Sequence, residues 1–293
     1  MNSDAAESFG SWVMGDDTRI LDSVTSVNVA CGFHGGDART MHRVTALAAQ
    51  RGIAVGAHVG YRDLPGFGRR FIAYSYDDLF AETLYQLGAL RGIARTQGTD
   101  VTYVKPHGAL GHAIMHDDTQ ARAVIDAVAA FDSSLALLLM PGSTAVEHAS
   151  TVGLRVVLEA FADRAYLPDG RLVPRTQEGA VLHDGQQIIE NMLRFVEEGV
   201  VVAQDGTHVV LGAKSICVHS DTPGAIEMAR SIRAALETAG VMIRSFVWAR
   251  APFAAGSLES AGLLSTDEWQ VAGFDDLTFL KLRDPEGGSR PAG

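Results

Sequence analysis

Short apolar runs alternate with segments of helical period along most of this chain, and that alternation constrains its fold more than any other feature. The runs lie at 25–30, 53–57, 101–104, 135–140, 154–158 and 215–218, with a first strand expected at 1–5. Their near-continuous apolar character is that of parallel strands buried on both faces. Between them, helical segments end at Gly52, Gly98, Gly153 and Gly240, where glycine accepts the left-handed conformation that stops a helix. The first helix is expected from Asp37 as N-cap to Arg51, burying Met41, Val44, Leu47 and Ala48. The next runs from Tyr76 to Gln97 behind Ser75 and buries Leu79, Leu84, Leu87, Leu90 and Ile93. Further helices are expected at 119–131, 143–152, 186–198 and 223–239, the last with Thr222 as N-cap and Pro223 in its first turn.

Strand and helix in strict alternation imply right-handed crossovers and a parallel sheet, which can close into a barrel or stay open and doubly wound. Polar residues gather after five or six different strands, and loops converging on one mouth favour an irregular seven-stranded (β/α) barrel. The barrel is expected over 1–250. An excursion at 165–212 carries a helix and a small hairpin turning at Asp205 and Gly206, and a C-terminal extension at 251–293 ends in residues that read as disordered.

The 293 residues carry a formal net charge of -11. A nucleic-acid or anionic-membrane surface needs a basic stripe, so neither partner is expected. No apolar stretch approaches the roughly 18 residues of a membrane span, and two cysteines, Cys31 and Cys217, suit a reducing cytoplasm. Self-association as a homo-oligomer is compatible with all of this.

Chemistry-bearing residues cluster at the C-terminal ends of the expected strands, where a parallel barrel places catalytic groups. They are Asp4 and Glu7; Asn28, Cys31 and His34; His58; Lys105 and His107; Glu159, Asp163 and Arg164; and His219 and Asp221. Lys105 and His107 should point to one side of a strand end, the lysine to hold a carboxylate or phosphate and the histidine to shuttle protons. A salt-bridged lysine and a buried histidine bracing a loop is the alternative. Glu159 and Asp163 offer a paired acid and base. Asp4, His58 and His107 are suitable metal ligands but lack tight local spacing. In GFGRR, Arg69 and Arg70 can bind an anion or brace the loop against Asp63, and no GxxxxGK[ST] phosphate loop occurs.

The blocks NSDAAESFG, SVNVACGFHGGD, GAHVGYRDLPGFGRR, YQLGAL, VKPHGAL, EAFADRAY, GRLVPR and CVHSDTPGA, in this order, resemble the LamB/YcsF family over about residues 1–245. The resemblance implies a (β/α) barrel related to glycoside hydrolases and polysaccharide deacetylases. It also implies ATP-driven opening of the 5-oxoproline lactam to glutamate, with Mg²⁺ accompanying the ATP, in a complex with two partner subunits. Carried over residue by residue, it marks Asp4, Glu7, Asn28, His34, Asp37, His58, Asp63, Arg69, Arg70, Lys105, His107, Glu159, Asp163, Arg164, His219 and Asp221. The chain departs from the family at Ala6, where a glycine is usual, at Gly111 and His112, where Tyr-Asn is usual, and at Ser220. A missing tyrosine at Gly111 widens the expected pocket. Two other readings stay open: a metal-dependent amidohydrolase or deacetylase that does not use ATP, and a noncatalytic scaffold in the complex.

Overall fold

A computed structural model describes residues 1–219 and 224–247. The chain order is β1 (Asn2–Ala5), α1 (Asp17–Ile20), β2 (Ser26–Ala30), α2 (Ala38–Arg51), β3 (Ala54–Val59), α3 (Tyr76–Thr96), β4 (Val101–Pro106), α4 (Gly108–Ala113), α5 (Asp118–Asp132), β5 (Ala136–Leu139), α6 (Ala145–Thr151) and β6 (Arg155–Phe161). There follow α7 (Gly185–Glu198), β7 (Val200–Val202), β8 (His208–Val210), β9 (Ser215–Cys217) and α8 (Ala225–Thr238). Strands β1 to β6 and β9 pair in parallel, in sequence order, and β1 closes on β9. The series is therefore a seven-stranded closed barrel and not an open sheet. Strands β7 and β8 form the antiparallel hairpin of the excursion, either side of Asp205 and Gly206.

Local chemistry sets the helix ends. The Asp37 carboxylate accepts a 2.8 Å hydrogen bond from the Thr40 amide and opens α2, and Gly52 ends it at φ 65°. Ser75 caps α3 in the same way through the Asp78 amide. On α3, Leu84 and Ile93 are only half-buried, whereas Thr83 and Gln86 are fully buried. The burial of Gln86 follows from hydrogen bonding: its side-chain amide accepts from the Gly60 amide at 2.8 Å and donates to the Gly60 carbonyl at 3.1 Å. That pairing removes the penalty of a buried polar group and holds the loop after β3. Helix α8 begins at Ala225 behind Gly224, later than expected. Thr222 and Pro223 lie outside the described residues, as do Ser220, Asp221 and the extension 251–293.

Strand periodicity divides the barrel interior into two ends. Toward the strand starts, Ala54, Tyr103, Ala136, Leu138 and Val157 form an apolar plug with Val247 and Phe246, and the Phe246 ring lies 4.9 Å from that of Tyr103. Arg155 at the start of β6 donates to the Phe246 carbonyl at 3.0 Å, and Ser26 at the start of β2 meets Ser245 at 3.2 Å, so this segment seats across that end. Gly56 is required here, because a Cβ at that position would come within 2.2 Å of the Tyr103 ring. Toward the strand ends the interior turns polar, and the candidate site lies there.

Candidate active site

Inward-facing positions of five strands meet across the axis. Lys105 on β4 reaches Asp4 on β1 at 3.0 Å, Glu159 on β6 at 3.2 Å and the Cys217 thiol on β9 at 3.2 Å. All three ammonium protons thus have acceptors within the floor of the site, and the side chain is 5% exposed. Burial alone would lower the Lys105 pKa, but Asp4, Cys217 and Glu159 outweigh it and hold the ammonium above its usual range. Asp4 is the reciprocal case: burial would raise it, yet His58 and Lys105 keep it well below the usual carboxylate range. Burial pushes Glu159 up. Lys105 is accordingly a fixed positive charge in the floor, already engaged on all sides, and not a free hand for an anion.

A buried relay orients this floor. The Tyr103 hydroxyl donates to Asn28 Oδ1 at 2.6 Å, and Asn28 Nδ2 donates to Asp4 Oδ1 and Asn2 Oδ1, each at 2.7 Å. Asn2 also donates to Glu159 and to Ser215. Asn28 therefore serves Asp4 from behind. Sequence reasoning passed over Asn2, Tyr103 and Cys217; their signal was the period-two spacing from Asp4, Lys105 and the start of the loop at His219.

The loops add imidazoles and cations. His58 at the end of β3 places Nε2 3.3 Å from Asp4 and 3.0 Å from His107 Nδ1. His34 is fully buried and stacks face to face on His107, with ring centroids 3.7 Å apart. Burial, and next the neighbouring imidazoles, push His34 and His107 well below the usual histidine range, so both are neutral. Phe67 holds a left-handed φ of 53° and turns its carbonyl onto His107 Nε2 at 2.8 Å. On the opposite wall His219 Nδ1 lies 2.8 Å from Asp163, and its ring stacks on Phe161.

The cavity over this floor is lined by Asp4, Glu7, His58, Lys105, His107, Glu159 and His219, and by Arg69, Arg164 and Arg175. Arg164 donates to the Ala180 and Val173 carbonyls, which ties the wall to the excursion. Burial, with Arg175 nearby, lowers its pKa to about 10. Arg175, from the excursion, was not among the expected residues, and nothing but its place in GRLVPR pointed to it. Other expected residues stand back from the cavity wall. Arg70 is largely exposed and forms an ion pair with Asp63, bracing the loop. Asp163 stands behind His219, and Asp37 caps α2 while also accepting from the Gly10 amide. Cys31 is buried, and burial raises its thiol pKa beyond nucleophilic use.

The model of the LamB/YcsF family matches residues 1–250. This chain belongs to the LamB/YcsF family. It is 54% identical over 246 residues to a Kocuria rhizophila protein named as a 5-oxoprolinase subunit, covering 84% of this chain and 98% of that protein. A Paracidovorax citrulli protein of the same name is 55% identical over the same coverage. Among solved structures, the lactam utilization protein from Thermus thermophilus superposes with a TM-score of 0.80 at 46% identity, covering 84% of this chain and 98% of that one. Two departures from the LamB/YcsF pattern acquire a geometry. Ala6 sits at a φ of 59°, a conformation suited to the usual glycine. Gly111 lines the cavity, and a Cβ there would come 2.9 Å from the Pro106 carbonyl, so this backbone holds glycine. No helix among the described residues is long and apolar enough to cross a membrane.

Proposed function

We propose that this chain is the lactam-opening component of a cytoplasmic ATP-dependent 5-oxoprolinase, converting 5-oxoproline to L-glutamate together with two partner subunits. The names of the relatives support the lactam chemistry, and one observation carries it to this cavity. A floor of buried carboxylates around Lys105 lies beneath a wall bearing Arg69, Arg164 and Arg175. 5-Oxoproline offers both features, a carboxylate on one ring carbon and, on the nitrogen beside it, the lactam N–H. The arginines receive the carboxylate, and the acidic floor receives the lactam N–H.

An unstrained lactam resists water because its carbonyl is resonance-stabilised. ATP, accompanied by Mg²⁺, is the substrate that activates it, by phosphorylating the lactam oxygen and leaving the carbon electrophilic. Asp163 accepts a hydrogen bond from His219 Nδ1–H, which orients the ring and assigns the role of base to Nε2. Nε2 then takes a proton from water as its oxygen bonds to the carbonyl carbon. The C–N bond breaks and the ring nitrogen gains a proton to become the amine, which leaves γ-glutamyl phosphate; a second water hydrolyses this acyl phosphate to glutamate and inorganic phosphate.

Glutamate release from 5-oxoproline, measured with and without ATP on this chain reconstituted with the subunits encoded beside it, tests the reading. Product that requires ATP and all subunits is expected, and Asp163→Asn should lower kcat by roughly 10²–10⁴-fold with little change in melting temperature. Absence of glutamate from the full complex would sink it.

A further inference from the structure

We infer that Glu7, His58 and His107 form a seat for a divalent transition-metal ion of the zinc class, with its remaining position open to the cavity. The outer partners of the two imidazoles fix which nitrogens carry hydrogen. His58 Nδ1 lies 2.9 Å from the Lys105 carbonyl, and His107 Nε2 lies 2.8 Å from the Phe67 carbonyl. A carbonyl oxygen only accepts, so both outer nitrogens are N–H donors. The inner nitrogens, His58 Nε2 and His107 Nδ1, are then left facing one another at 3.0 Å. With these two nitrogens 3.0 Å apart and the Asp4 carboxylate 3.3 Å from His58 Nε2, the cluster calls for a positive charge between or beside them, a shared proton or a metal ion.

The surroundings favour a metal ion. Glu7 Oε1 lies 3.7 Å from His107 Nδ1, and one ligand atom from each of Glu7, His34, His58 and His107 falls within 4.8 Å of all the others. With metal–ligand bonds of about 2.0–2.1 Å, adjacent ligand atoms of a tetrahedral site stand about 3.3 Å apart, so little movement is required. Ligating histidines almost always donate their outer N–H to a carbonyl or carboxylate, and both do so here. Two imidazoles with one carboxylate suit zinc-class ions better than Mg²⁺ or Ca²⁺.

His34 has a different part. Its ring lies parallel to His107 at 4° and 3.7 Å, so its lone pairs run beside those of His107 and do not converge with them. Neither of its nitrogens makes a hydrogen bond, although the residue is fully buried, and Nε2 lies 3.4 Å from Glu7. His34 fixes the plane of His107 and the position of the Glu7 carboxylate. Glu7, His58 and His107 line the cavity, whereas His34 does not, which leaves the open position on the substrate side. An ion there supplies a Lewis acid for an amide oxygen in the cavity. The seat follows from side-chain geometry and is independent of the lactam assignment.

The test uses the full chain, stripped with chelator and titrated with Zn²⁺ by calorimetry and with Co²⁺ by visible absorption. Expected are one ion bound per chain, tetrahedral Co²⁺ bands, and a melting temperature that rises with metal. Glu7→Gln and His107→Asn should each weaken binding by at least tenfold, while His42→Ala, on exposed α2 surface, should bind as the parent does. Circular dichroism confirms that each variant is folded. Absence of binding by the folded parent at about 100 μM metal would overturn the inference and leave a shared proton between the imidazoles. Binding that persists in both Glu7→Gln and His107→Asn would overturn it equally.

Discussion

At Ala6 one methyl group sets a backbone against its residue type. The left-handed region crowds Cβ against the following carbonyl and disfavours non-glycine residues by roughly 1–2 kcal/mol. Ala6 stays there because the chain must turn out of β1: its amide donates to Asp17 at 2.9 Å, and its carbonyl lies so close to Gly36 that a Cβ on that glycine would come within 2.5 Å. Ala6→Gly should therefore stabilise the protein by about 1 kcal/mol, offset in part by the extra freedom of the unfolded chain. Urea unfolding checks this; a lower midpoint would show that the turn is unstrained. Residue roles were the least legible level. Lys105 was expected to grip an anion, but its partners come from β1, β6 and β9, which no local spacing reveals. Arg70 stood beside Arg69 with equal standing, and only the loop geometry separates the cavity wall from the Asp63 brace.

Between elements, Arg91 ties α3 to the start of β4 and the end of α5. It bonds Asp100 at 2.8 Å and Asp132 at 2.8 Å, with Arg95 also on Asp100. Burial alone would raise Asp100, but the arginine bonds outweigh it and hold its carboxyl below the usual range. A depressed folded-state pKa contributes stability above the unfolded value of about 3.9, and that contribution is lost as pH falls through the folded value. Arg91→Met should cost on the order of 1–2 kcal/mol at neutral pH and should flatten the loss of stability below about pH 4. Denaturant unfolding at about pH 7, 4 and 3 measures both, and an unchanged acid slope would refute the assignment. Helices were legible at this scale because caps and stop glycines act within a few residues. The short helices α1 and α4 were not anticipated, since four to six residues carry too little periodicity to register.

For the whole molecule, closure of β1 on β9 gathers both ends of the barrel interior into single assemblies. One end is the plug of Tyr103, Leu138 and Val157 against Phe246. Phe246→Ala should open a void there and cost about 1–3 kcal/mol, less than a fully buried phenylalanine because this one is half-buried. A thermal melt checks the loss, and because the Phe246 ring packs on Tyr103, whose hydroxyl holds Asn28 behind Asp4, glutamate release by the full complex should fall with it. Alternating apolar strands and glycine-stopped helices by themselves determined a parallel (β/α) series, because strand and helix periodicity are local properties of the chain. The same short-range reading found which strand ends bear chemistry, and the motifs identified the family. Tertiary structure alone decided that Lys105 is enclosed, that His58 and His107 face each other, and that Arg175 joins the cavity wall. Those facts depend on residues distant in sequence meeting across a closed barrel, and the distances between their side chains decide what each can do.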